Sequence, residues 1–255
     1  MQDKTDSEIR GKRVLVTGAS SGIGAAIAFE FARRGARVGL HYRSGRLEAA
    51  ALARRIRRLG TQCFLLQGDL LDERVRQRLV RRFVDEAGGI DVLVNNAGGV
   101  HRYAHFRDLD EDSWDKTLAL NLKAPFVLAC RAFEFMKKRR WGRIINITTV
   151  AAKYVGPCSM HYVAAKSALD TLTIGFAREG ARHNILVNSI RCGVIATPMH
   201  RRVEGYSADD FRKRVALIPV GRPGSPEEVA ALAVFLASKA GSFITGQAIA
   251  VSGGD

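Results

Sequence analysis

The stretch Lys12-Arg-Val-Leu-Val-Thr-Gly-Ala-Ser-Ser-Gly-Ile-Gly24 constrains this chain more than any other. Lys12–Val16 is a short apolar run of the kind that forms a buried parallel strand. Ala25–Arg34 holds good helix formers with apolar residues at helical spacing, and Gly35 ends it. Between them lies a turn with glycines at 18, 22 and 24, the spacing G-x-x-x-G-x-G. Strand, glycine turn and helix in this order form the frame in which such a motif signifies nucleotide binding. The glycines let the backbone approach a pyrophosphate, and the helix start offers it unpaired N–H groups and partial positive charge. The competing reading, a plain glycine turn, loses ground because both flanking elements are present.

Strand-like and helical patterns alternate through the rest of the chain, which predicts an α/β fold: a doubly wound parallel sheet of about seven strands with helices on both faces, in one domain. Expected strands follow at Arg37–Tyr42, Cys63–Gln67, Asp91–Asn95, Arg143–Thr148, Ile185–Ile190 and Ala248–Val251. Expected helices cover Arg46–Leu59, Asp72–Glu86, Ser113–Arg140, the segment 159–182, and a stretch from the capping box Ser225-Pro-Glu-Glu228 to Ala237. The 113–140 helix should break near Asn121–Pro125, because a proline disfavours helix at the residue before it. Residues 1–11 read as a polar tail. The segment 191–222 lacks a clear strand and reads as a substrate lid, since ligands of such sheets bind beyond the carboxyl ends of the strands.

Tyr162 and Lys166 are four residues apart, one helical turn, so a helix there sets phenol and ammonium on one face. A positive charge beside a phenol favours phenolate and lowers its pKa from about 10, which equips the tyrosine for proton transfer near neutral pH. In isolation such a pair is usually a packed ring and a solvated amine; the glycine turn of the same domain is what favours chemistry.

The turn Thr17–Gly24, Asn95-Asn-Ala-Gly98, Asn121 and the Y-x-x-x-K pair occur in an order and spacing similar to those of the short-chain dehydrogenase/reductase family, single-domain type. The resemblance runs from about Arg13 to Gly254, and is nearest to 3-oxoacyl-carrier-protein reductases, glucose dehydrogenases and related carbonyl reductases. It implies a Rossmann-type fold and the catalytic set Asn121, Thr149, Tyr162 and Lys166. Thr149 stands where close relatives carry serine, thirteen residues before the tyrosine, with Thr148 as the alternative. Threonine keeps the hydroxyl but stiffens χ1 and adds a methyl near the reacting carbon. The resemblance further implies that Gly18, Ser20, Ser21, Gly22, Ile23 and Gly24 meet the pyrophosphate. Asp69 and Leu70 would hold the adenine, and Asn96, Ala97 and Gly98 would lie along its ribose. Tyr162 and Lys166 would reach the nicotinamide ribose, with Gly193, Ile195 and Thr197 near the carboxamide. Cys192-Gly193 replaces the family's Pro-Gly pair, removing proline's fixed φ.

Enzymes for the unphosphorylated dinucleotide usually place an acid at the end of the second strand. This chain has Tyr42-Arg43-Ser44 there, and Arg43 suits a 2′-phosphate. NADPH/NADP+ is therefore expected over NAD, although Ser21 occupies a position where relatives preferring NADP often carry a second base. Substrate walls are expected from 99–107, 151–160 and 194–206, with Tyr103, His105, Tyr154, Met160, Met199 and His200 among them. This mixture admits acyl thioesters, sugars, steroids or small ketones. A 3-oxoacyl thioester, carried by acyl carrier protein or coenzyme A, is the first expectation, and a sugar or polyol the second. A non-catalytic dinucleotide-binding sensor or scaffold is the alternative of another class. The resemblance also implies a homo-tetramer or homo-dimer packed through the helices near 113–140 and 159–182.

Lysine and arginine total 40 against 25 acids, a net charge of +15. Much of the excess is arginine at 54, 55, 57, 58, 74, 76, 78, 81 and 82, interleaved with apolar positions on two helices. Solvated helix faces explain it better than a nucleic-acid surface, because no nucleic-acid-binding signature accompanies it. The cysteines Cys63, Cys130, Cys158 and Cys192 form no C-x-x-C pair, and His101 and His105 lack the surroundings of a zinc motif, so neither a metal nor a disulfide framework is expected. Residues 1–10 have no apolar signal segment, and no apolar run approaches the ~18 residues that span a bilayer. A cytoplasmic location and a reducing environment are the expectation.

Overall fold

Residues 8–100, 104–154, 159–198 and 207–255 are described by a computed structural model, with the backbone alone for Tyr154. Seven strands pair in parallel in the order β3-β2-β1-β4-β5-β6-β7. They are β1 (Arg13–Val16), β2 (Arg37–Tyr42), β3 (Cys63–Gln67), β4 (Val92–Asn95), β5 (Gly142–Thr149), β6 (Ile185–Cys192) and β7 (Ala248–Val251). Every residue of β1, β4 and β5 is buried, which is why β1 and β4 show no alternation of apolar and polar residues, while β5 buries Arg143 and Asn146 among its apolar positions.

Besides a four-residue turn of helix at Ala151–Tyr154, the helices are α1 (Gly22–Arg33), α2 (Arg46–Arg58), α3 (Glu73–Ala87), α4 (Glu111–Leu118), α5 (Ala124–Arg139), α6 (Met160–Ala181), α7 (Ala208–Ala216) and α8 (Pro226–Ala237). Ile27 and Phe31 of α1, Leu52 and Ile56 of α2, and Val229 and Val234 of α8 share one core with Val14, Val38 and Ile145. On the other face Leu79 and Phe83 of α3, Leu128 and Met136 of α5, and Ala177 of α6 pack on Leu15, Leu93 and Ile144. Two cores on opposite faces of one parallel sheet make a doubly wound α/β domain.

Three expectations need correction. The run 113–140 is not broken at Pro125: α4 passes through a π-helical segment, Ala119–Lys123, directly into α5, and Pro125 follows that segment, so the change in helical winding falls where proline has no N–H to donate. The polar tail is not wholly polar, since Ile9 is fully buried in the first core. The segment 191–222, expected to lack a strand, begins with Arg191 and Cys192 in β6. It also contains α7, opened by a capping box between Ser207 and Asp210; residues 199–206 lie outside the described set. The Ser225–Glu228 capping box forms as expected.

At the amino ends of β1 and β4, Asp91 accepts from Arg13 three times: from the backbone N at 2.9 Å, from Nε at 2.6 Å and from NH2 at 2.5 Å. Both side chains are buried, so each ion depends on the other for solvation. Asp91→Ala is expected to lower unfolding free energy by about 3–5 kcal/mol. The check is urea denaturation with an unchanged m-value, and a loss under about 1 kcal/mol would contradict this account.

Candidate active site

A cleft of about 570 Å³ opens beyond the carboxyl ends of β1 and β4, where the strand order reverses. Gly18, Ser20, Ser21, Gly22 and Ile23 form one wall, and Arg43 and Ser44 the next. Asp69 and Leu70 lie beyond these, and Asn96, Ala97, Gly98 and Thr197 line the cleft as well. Ser21, the residue before α1, makes no side-chain cap bond, so the first N–H groups of that helix are left for a ligand. Thr17 Oγ1 accepts from the backbone N of Asn96 and of Ala97, each at 3.0 Å, and Asn96 Nδ2 donates to Thr17 O at 2.8 Å. These bonds fix the glycine turn against the loop after β4. Gly24 does not line the cleft but permits it: a Cβ there would meet both Gly18 O and Asn96 Nδ2 at 2.4 Å. The arrangement fits a dinucleotide, with a helix start and bare glycine backbone for the phosphates and a basic corner at Arg43.

Of the other residues expected at the cofactor, Tyr42, Tyr162, Lys166, Gly193 and Ile195 are not on the cleft lining. Tyr42 is buried, Ile195 is buried and bridged to Gly224, and Gly193 packs its backbone on Ser252. Sequence pattern does not reveal four of the lining residues, His41, Gly45, Glu48 and Leu120. His41 Nδ1 accepts from Gly18 N at 3.3 Å, its Nε2 bonds Gly68 O at 3.1 Å, and its carbonyl accepts from Ala19 N at 2.8 Å. It thus joins the glycine turn to the end of β3, where Asp69 begins the next wall. Burial, reinforced by Arg82 and opposed by the Gly68 carbonyl and Asp69, brings its pKa down to about 4.

The second group of residues gathers at the ends of β4 and β5. Tyr162 and Lys166 lie on α6, with Lys166 Nζ 5.7 Å from the centre of the phenol ring. Lys166 is 3 % exposed, and its Nζ donates to Ile147 O at 2.9 Å. Burial lowers its pKa to about 8, against the pull of Cys192 and Asp170. Burial also pushes the neighbouring Cys192 thiol up to about 12. Asn121 sits on the π-helical segment and is fully buried. Its Oδ1 accepts from Gly99 N at 3.0 Å, and its Nδ2 donates to Gly99 O at 3.1 Å and Thr117 O at 3.0 Å. A Cβ on Gly98 would come within 2.5 Å of Asn121 Oδ1 and 3.1 Å of Lys166 Nζ, so a glycine there is what lets both approach.

Of the two threonines, Thr149 ends β5, and its Oγ1 accepts from Ala151 N at 3.2 Å. Thr148 Oγ1 points instead to the β6 carbonyl of Ile190 at 3.5 Å. Among the substrate-wall expectations, Met160 is half exposed, and His105 accepts from Arg107 N while stacking on Phe106. Tyr103, Met199, His200 and the side chain of Tyr154 lie outside the described residues, as do His101 and Cys158. Among the described residues no cluster of three or more histidine, cysteine or acidic side chains could hold a metal, and no helix is long and apolar enough to cross a membrane.

A family model described as enoyl-(acyl carrier protein) reductase matches residues 18–255. General stress protein 39 of Bacillus subtilis (strain 168) is 32% identical over 259 residues, which covers 99% of this chain and 87% of that protein. Among solved structures, acetoin dehydrogenase from Salmonella typhimurium superposes with a TM-score of 0.87 at 34% identity, covering 96% of this chain and 95% of that one. A short chain dehydrogenase from Burkholderia cenocepacia J2315 in complex with NADP gives 0.88 at 33% identity, covering 97% and 98%. The chain belongs to the short-chain dehydrogenase/reductase family. It is an NAD(P)-dependent oxidoreductase acting on CH–OH groups.

The depressed His41 pKa has a definite sign for stability. An unfolded histidine takes its proton near pH 6.5, whereas this one resists until about pH 4. The stabilisation is complete above pH 6.5 and is lost as pH falls towards 4, the loss reaching on the order of 2 kcal/mol at pH 5. Urea unfolding of wild type and His41→Gln at pH 7 and pH 5 is expected to show the steeper loss in wild type. Equal losses would refute this linkage.

Proposed function

We propose that this protein is an NADPH-dependent carbonyl reductase/alcohol dehydrogenase in which Tyr162 exchanges the substrate proton, Thr149 shares the carbonyl oxygen, Lys166 supports Tyr162, and Asn121 shapes the site. The observation that carries the reading is the buried Lys166 ammonium, held by Ile147 O one helical turn from Tyr162 and against the same Gly98 that lines the cleft. When bound, the nicotinamide supplies or accepts the hydride. The protein's share is to hold the carbonyl and handle the proton. Thr149 and Tyr162 donate to the carbonyl oxygen, where negative charge develops during reduction. Lys166 remains largely protonated at neutral pH, given its pKa of about 8, and its charge stabilises the phenol oxygen as the proton leaves.

Asn121, a member of the expected catalytic set, contributes by shaping the site. Two of its bonds hold Gly99, and a third ties the side chain to Thr117 O, which fixes the backbone beside Gly98 on which Lys166 rests. Arg43 on the cleft wall, with Ser44 beside it, is the reason for choosing NADPH, and the Burkholderia relative in complex with NADP supports the choice. For the substrate we favour a 3-oxoacyl thioester of acyl carrier protein or coenzyme A, with a sugar or polyol second. The family model's description supports an acyl substrate, while the acetoin dehydrogenase likeness supports a small hydroxy ketone. We read α4, α5 and α6 as the interface of a homo-dimer or homo-tetramer, since they expose Trp114, Phe126 and Ile174 at 40%, 43% and 46%. Sedimentation velocity should then report an oligomer at micromolar concentration, and a monomer would refute this interface.

Tyr162→Phe should bind NADPH as wild type does, because the cleft is untouched, while turnover falls on the order of 10²–10⁴-fold for a lost acid/base group. The measurement is kcat with NADPH over a panel of 3-oxoacyl thioesters, enoyl thioesters, sugars and diketones. Wild-type turnover in the variant would end this mechanism.

A further inference from the structure

Arg43 and Glu48 bring opposite charges to the same cleft. The acid that usually marks preference for the unphosphorylated dinucleotide ends the second strand, and this chain has none there. Glu48 comes instead from the first turn of the following helix, α2, which starts after Gly45. A methyl group placed on Gly45 would lie 3.3 Å from Glu48 Oε2 and 2.8 Å from Ser20 Oγ. The carboxylate therefore leans back over Gly45 towards the glycine turn. Neither Arg43 nor Glu48 has a side-chain hydrogen bond or ion pair among the described residues, so both charges remain available to a ligand.

We propose that Glu48 is a specificity-determining residue that sets how the cleft divides between NADPH and NADH, accepting hydrogen bonds from adenine-ribose hydroxyls and repelling a 2′-phosphate that Arg43 attracts. This rests on the dinucleotide reading above and deepens it. A phosphate monoester carries close to two negative charges at neutral pH, so a carboxylate within several ångströms opposes it. The same carboxylate is an ideal acceptor for paired hydroxyls, which the unphosphorylated ribose retains. Arg43 and the positive start of α2 work in the other direction, favouring the phosphate. The cleft is consequently built for both nucleotides, with NADPH ahead by a margin that Glu48 limits.

The test is equilibrium titration of wild type, Glu48→Gln and Glu48→Lys with NADPH and with NADH, followed by nucleotide fluorescence at fixed salt. Glu48→Gln should bind NADPH roughly fivefold more tightly and NADH several-fold more weakly, and Glu48→Lys should widen the ratio further. A residue that only supports the start of α2 would move both affinities in parallel, and that outcome, or an unchanged ratio, overturns the proposal. Wild-type protein that binds neither nucleotide overturns the dinucleotide reading and this inference with it. Glu48 is exposed on a surface helix, so neither substitution disturbs a core.

Discussion

A single buried ammonium organises the catalytic end of this molecule. Lys166 has lost nearly all contact with water, which would be prohibitive for an unpartnered charge. The Ile147 carbonyl at the end of β5 takes one of its protons, and Asp170, one turn along α6, adds distant attraction. Holding it there requires α6 to lie against β5, Gly98 to have no side chain, and Asn121 to fix the neighbouring loop. Each demand falls on a different element, so the pair at 162 and 166 reports on the whole domain and not on its helix alone.

The reversal of strand order supplies the second half of the site. Connections from β1 and β4 leave in opposite directions, opening a crevice between them. The glycine turn fills one side, and Thr17 and Asn96 tie it to the other through four hydrogen bonds between side chain and backbone. His41 fixes the turn from below. A neutral imidazole both accepts and donates, so it can receive the Gly18 N–H and bond the Gly68 carbonyl at once, whereas a protonated ring has no acceptor for Gly18. The low pKa and the hydrogen-bond pattern are two expressions of one constraint.

Features written in local pattern are legible in the amino-acid sequence itself. The glycine turn, the Tyr162–Lys166 spacing and the Ser225 capping box depend on neighbours within a few positions, and all three take the expected form. What sequence pattern conceals depends on distant partners. The π-helical segment carries Asn121, whose partner Gly99 is twenty-two residues away, and Pro125 alone suggests only a break. His41 is hidden inside an apolar strand, because its role comes from Gly18 and Gly68, 23 and 27 residues distant. Helix α7 buries no residue and so shows no apolar stripe; the Ser207 and Asp210 capping pair is its one local signal. Thr149 and Thr148 are not separable by composition, but alternation along β5 turns one hydroxyl to the Ile190 carbonyl and leaves the other at the strand's end.

The net charge of +15 acquires a structural sense once the helices are placed. In a parallel α/β sheet every helix ends on the side opposite the ligand cleft. The last turn of α2 carries Arg55, Arg57 and Arg58, and that of α5 carries Lys137, Lys138 and Arg139, where cations complement the negative end of the helix dipole. Others are engaged individually: Arg81 pairs with Asp85, Arg57 donates to the Cys63 carbonyl, and Arg76 donates to the carbonyls of Leu70 and Leu71. Arg76 in particular is buried, and its two bonds brace the chain just after Asp69. A large part of the basic excess thus stabilises helix ends and loop carbonyls, and the sign of the cleft itself is left to a few residues, Arg43 and Glu48 foremost.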